Sequence, residues 1–86
     1  MTLDELQRLI ETEFGERDRA RGMAASVAWL CEEVGELAQA VRKGSRADRL
    51  HELGDVLAWT ATIANQLGLS LEEAIGRYTT LEPGSG

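Results

Sequence analysis

Residues 23–67 read MAASVAWLCEEVGELAQAVRK, then GS, then RADRLHELGDVLAWTATIANQL. Gly44-Ser45 divides this stretch into two segments, about Met23 to Lys43 and about Arg46 to Leu67. Val27, Leu30, Val34, Leu37 and Val41 recur at helical spacing in the first. Leu50, Leu53, Val56, Leu57, Thr60, Ile63, Ala64 and Leu67 do so in the second. Gly44 ends one helix and Ser45 caps the next. So short a turn forces the helices antiparallel. The centre of the fold is therefore a long antiparallel helix hairpin, and no segment shows the alternation of a strand.

The hairpin sets a register. Glu36 lies eight residues before Gly44 and Glu52 eight after it; Glu33 and Asp55 each lie eleven away. The two near-repeats, Glu33-Val34-Gly35-Glu36 and Glu52-Leu53-Gly54-Asp55, thus face each other at matched depth. Within each, positions i and i+3 share a helix face. Trp29 projects between Glu33 and Glu36, and Trp59 between Glu52 and Asp55, at about 100° per residue. Like charges held this close repel unless they are protonated or bridged by cations. The ligands are all oxygens, with neither the His nor the Cys that zinc and redox metals recruit, so Mg²⁺ or Mn²⁺ is the expected ion. His51 points about 100° away from Glu52 and reads as exposed. Gly35 and Gly54 each cost a helix interior about 1 kcal/mol relative to alanine; close approach of another helix or a ligand is one reason, simple tolerance the other.

Outward from the hairpin, Thr2 and Glu5 form a capping box for a first helix. Leu3, Leu6, Leu9, Ile10 and Phe14 keep helical spacing there, and Gly15 stops it. The charged run Glu16–Gly22 reads as a loop with partial helix. After Gly68, Ser70 and Glu73 open a short fourth helix ending near Thr80, with Leu71, Ala74, Ile75 and Tyr78 facing inward. Residues 81–86, with Pro83, read as a flexible tail. The expected architecture is one all-α domain over 1–86, a small four-helix bundle-like unit. Its short outer helices leave apolar hairpin surface that a dimer or tetramer would cover.

A net charge of −6 argues against nucleic acid or an anionic membrane as partner. It leaves room for a phosphorylated small molecule, since bound cations invert the local field. Cys31 has no cysteine to pair with, which fits a reducing compartment. There is no apolar run near membrane-spanning length and no secretory leader pattern, so the expected location is cytoplasmic.

The pattern Glu32-Glu33-x-x-Glu36, a spacer, then Glu52-x-x-Asp55 resembles the MazG nucleotide pyrophosphohydrolases of the all-α NTP pyrophosphatase superfamily. The resemblance runs over about residues 23–78. It implies Mg²⁺-dependent hydrolysis of a nucleoside triphosphate to the monophosphate and pyrophosphate, as housekeeping of the nucleotide pool. It maps the metal ligands onto Glu33, Glu36, Glu52 and Asp55. Glu32 then orients the attacking water, holds a further ion, or is a solvated acid. Lys43 meets a substrate phosphate or serves the helix C-terminus. Trp59 and Trp29 stack on the base or belong to the core; the family's aromatic near the substrate falls on Trp59. Many relatives follow their last helix with a Lys/Asn/Arg-rich segment, whereas here Arg77 is the only basic residue of 77–82. A non-catalytic helical interaction module of the same fold is the competing reading. A phosphohydrolase cutting a different bond is a third.

Overall fold

The computed structural model describes residues 1–79. Among them are four helices and no strand: α1 Leu3–Arg21, α2 Met23–Lys43, α3 Arg46–Leu67 and α4 Leu71–Thr79. The expected tail over 81–86 and the end of the last helix at Thr80 lie outside the described residues. No described helix is long and apolar enough to cross a membrane.

Side-chain caps set the starts of α1, α3 and α4. Thr2 Oγ1 accepts from the Glu5 N–H at 3.1 Å, and Glu5 Oε1 accepts from the Thr2 N–H at 2.8 Å. Ser45 and Asp48 make the same reciprocal pair at 3.1 and 2.9 Å. These main-chain donors hold the Glu5 and Asp48 carboxyls below their ordinary range. Ser70 Oγ accepts from the Glu73 N–H at 3.1 Å and starts α4.

Gly15 does not stop α1. The helix continues to Arg21, and the run read as a loop is its last turn and a half. Gly15 is buried, the Arg19 guanidinium bonds Glu11 across two turns, and Asp18 is buried against α3. These contacts outweigh a single glycine's helix penalty of about 1 kcal/mol. The stop comes at Gly22, whose φ of 89° and ψ of 163° suit glycine. Gly22 is the whole joint between α1 and α2.

α2 and α3 form the expected hairpin. Gly44 sits so close to α2 that a Cβ there would lie 2.8 Å from both Ala40 Cα and Ala40 O. Arg49 Nε donates to Ala40 O at 3.2 Å and latches the base of α3. α1 crosses α3. At one end the Gln7 amide donates to Asn65 Oδ1 and Leu69 O at 3.0 and 2.9 Å and accepts from the Leu71 N–H at 2.8 Å. At the other end Asp18 meets Thr62.

The apolar stripes are only partly covered: Leu30, Leu37, Val56, Thr60 and Ile63 are half-buried and Ala64 is buried. Val27, Val34 and Val41 of α2 and Leu50, Leu53 and Leu57 of α3 are exposed, whereas Ser26, Glu33 and Ala40 are the buried residues of α2. Among the described residues the buried apolar side chains are Ile10 of α1, Ala40 of α2, and Ala61 and Ala64 of α3. On α4, Ala74, Ile75 and Tyr78 are exposed rather than inward-facing. Periodicity identifies which residues share a face; it does not say which face meets another helix.

Candidate metal centre

Helix geometry brings the two acid pairs together as their distances from Gly44 require. Ligand oxygens of Glu33, Glu36 and Glu52 lie within 4.8 Å of one another. Glu33 comes from mid-α2 and is only 8 % exposed; Glu52 and Asp55 are half-buried and Glu36 is exposed. The Oε2 atoms of Glu33 and Glu52 are buried without a hydrogen-bond partner. An anionic oxygen that lacks any donor is expensive to bury.

The electrostatics follow from this crowding. Burial first, then the charge of Glu36 and the contact with Asp55, push the Glu33 carboxyl up to about 7. Glu36 is raised chiefly by its contact with Glu52, then by desolvation. Four acids with no cation among them, two of them with orphaned oxygens, fit the donor set of a hard divalent ion. Such an ion would replace mutual repulsion with shared attraction.

Asp55 has a second neighbour. His51 Nε2 lies 3.3 Å from Asp55 Oδ2, and His51, Glu52 and Asp55 form a further group of ligand atoms within 4.8 Å. His51 is exposed as expected, but its partner was missed; the i,i+4 spacing from His51 to Asp55 is the signal that finds it.

The tryptophans continue the register. Trp29 lies fifteen residues before Gly44 and Trp59 fifteen after it. Their rings stack with centroids 5.8 Å apart and planes 8° from parallel. Trp29 is 45 % exposed and Trp59 half-buried, so the pair forms a partly open aromatic wall beside the acids. Arg21 lies over Trp59, its Cζ 4.7 Å from the ring centroid. Arg21 is, with Arg17, Arg19, Arg46 and Arg77, a candidate partner for a substrate phosphate that the sequence does not rank. Its place over Trp59 and the role of Asp18 were missed because both residues fall in the run read as a loop, and their i,i+3 spacing is the pointer.

Lys43 borders a groove of about 420 Å³ with Glu36, Gln39, Gly44, Asp48 and Glu52. It therefore opens onto the same space as two of the acids. Glu32 is exposed and stands outside the carboxylate cluster. Outside their own turn of helix, no atom of the described residues lies within 4 Å of a Cβ added at Gly35 or Gly54, so no other element of the described chain approaches them closely.

Residues 21–80 match the family model of the MazG nucleotide pyrophosphohydrolase domain. No curated protein matches the chain.

Proposed function

The chain belongs to the MazG nucleotide pyrophosphohydrolase domain family, and on that premise we propose that it hydrolyses nucleoside triphosphates to monophosphate and pyrophosphate with Mg²⁺ or Mn²⁺. The observation that carries this reading is the convergence of Glu33, Glu36 and Glu52 within 4.8 Å, with orphaned oxygens on Glu33 and Glu52. Glu33, Glu36, Glu52 and Asp55 would hold the metal. When bound, Mg²⁺ would neutralise phosphate charge and polarise water in this cleft.

The chain's own side chains do the rest. Lys43, at the groove beside Glu36 and Glu52, receives a phosphate of the leaving group. The Trp29–Trp59 wall takes the base or sugar by stacking. Glu32, beside the ligand set but outside it, orders the attacking water and accepts its proton. Water then adds to the α-phosphorus, and the bridging oxygen leaves with pyrophosphate. The cellular role we assign is removal of excess or non-standard nucleotides. The active form is a dimer or tetramer, a reading supported by the exposed Val27, Val34, Val41, Leu50, Leu53 and Leu57.

Turnover of a panel of nucleotides in ¹⁸O-water tests the reaction. Label should enter the nucleoside monophosphate. Label found only in orthophosphate would rule out attack at the α-phosphorus.

A further inference from the structure

Asp18 is a buried carboxylate that the proposed reaction does not use; it is 5 % exposed. Its two oxygens are divided between two helices. Oδ1 accepts from Arg21 Nη1 at 2.9 Å, and Oδ2 accepts from the buried Thr62 hydroxyl of α3 at 3.0 Å. Its carbonyl accepts from the Gly22 N–H at 3.1 Å and from the Gln66 amide. Asp18 is thus pinned by its main chain and its side chain at once.

Arg21 carries that constraint toward the site. Its Nη1 also reaches the fully buried Ser26 Oγ at 3.5 Å, at the start of α2. With that one nitrogen set between Asp18 and Ser26, the guanidinium lies over Trp59, and Trp59 stacks on Trp29. Core packing alone does not fix Trp59. A cleft of about 330 Å³, lined by Ile10, Phe14, Arg17, Arg21, Trp59 and Thr62, lies beside the indole. A ring with such space next to it needs another restraint to keep one orientation. A planar cation laid on its face supplies one, and a long arginine stays in place only while an anion anchors it.

We propose that Asp18 is a positioning residue: through Arg21 it fixes the Trp59 indole, and with it the Trp29–Trp59 stack, in the orientation that receives the nucleoside part of the substrate. This rests on the nucleotide reading above for its last step but not for the first.

The test uses the two tryptophans, the only ones in the chain, so that indole signals report this pair alone. Asp18→Asn keeps the shape and an acceptor for Thr62 but removes the charge. Arg21→Lys keeps the charge but removes the plane. Both should weaken the exciton circular-dichroism signal of the stacked indoles and shift their emission, with helical content unchanged. With Mg²⁺ and the nucleotide that the wild type turns over best, both should raise KM by about 3- to 30-fold and leave kcat within about twofold, the size expected of a lost cation–π contact. Wild-type indole spectra and KM in Arg21→Lys would overturn the proposal, even if the melting temperature fell. Should Asp18→Asn fail to fold, Arg21→Lys decides by the same readings. A wild-type chain that neither turns over nucleotides nor responds to them in emission would sink the nucleotide reading, while altered indole spectra in both variants would still establish the hold of Asp18 and Arg21 on the pair. Nucleotide turnover in the wild type with unaltered variants would sink the positioning role alone.

Discussion

Glu33 sits where burial and three other acids all oppose its charge and push its carboxyl up to about 7. The folded chain therefore holds a proton that the unfolded chain has released, over the interval between the ordinary glutamate value and about 7. The stability this proton gives is fully present below the unfolded value and is lost as pH rises through 7. In chelator, the melting temperature should therefore fall between about pH 5 and about pH 8, and Glu33→Gln should flatten that slope. Mg²⁺ or Mn²⁺ should reverse the trend, because metal binding needs the deprotonated acid; a slope unchanged by metal would remove Glu33 from the ligand set. Trp59 gives a second test at this scale. Trp59→Phe keeps most of the apolar bulk, so it should melt near the wild type and lose nucleotide affinity. If stability alone fell, by something approaching the 3–5 kcal/mol typical of truncating a large aromatic to alanine, the ring would be core. The acids and tryptophans were legible as residues because a tight turn fixes equal distances along two helices. Asp18 and His51 were not, since the partners that give them meaning lie on another helix in one case and hide within a surface charge pattern in the other.

At the scale of elements, the hairpin depends on one close approach and tolerates two apparent weaknesses. A Cβ at Gly44 would meet Ala40 backbone atoms at 2.8 Å. Gly44→Ala should press on the last turn of its own helix and, at 3.1 Å, on Asp48 Cβ of α3, destabilise by about 1–3 kcal/mol as overpacking does, and, by disturbing the turn that sets the register, weaken the metal-induced rise in melting temperature. Gly35→Ala and Gly54→Ala meet no other element among the described residues; each should stabilise the isolated fold by up to about 1 kcal/mol. A loss of stability on Gly35→Ala would mean that another copy covers that face. Chemical melts of the three variants, run side by side, separate these outcomes. The bounds of α2 and α3 were legible because Ser45, Asp48, Gly44 and Gly68 carry their own capping chemistry. The length of α1 was not, because what carries it past Gly15 is the Arg19–Glu11 pair and the docking of Asp18 on α3.

For the whole molecule, the arithmetic of burial is lopsided. Among the described residues the buried apolar side chains are one isoleucine and three alanines, while Val41 is 60 % exposed and Leu50 54 %. A domain this small gains little from so thin a core. Light scattering at micromolar concentration should give a dimer or larger, and dilution should lower the melting temperature by mass action. A stable, concentration-independent monomer would contradict the assembly. The sequence made the all-α class legible through its helix formers and capping pairs. It did not reveal that alanines and acids share the buried positions of the hairpin while the larger members of each stripe, such as Val41 and Leu50, are exposed, because spacing alone is blind to which side of a helix its neighbour takes.

The equal arms of the hairpin have a consequence for how such a gene can drift. Point substitutions test one contact at a time, but the in-frame deletion of a single residue between Glu36 and Gly44 would turn everything upstream by about 100°. Glu33, Glu36 and Trp29 would all lose their counterparts on α3 in a single event. A matching deletion in the other arm would not repair this, since that arm would rotate as well. Only lengthening the turn itself, or adding about two full helical turns to both arms, keeps the pairs opposed. Indels in this lineage should therefore accumulate at the turn around Gly44-Ser45 and be purged from the arms.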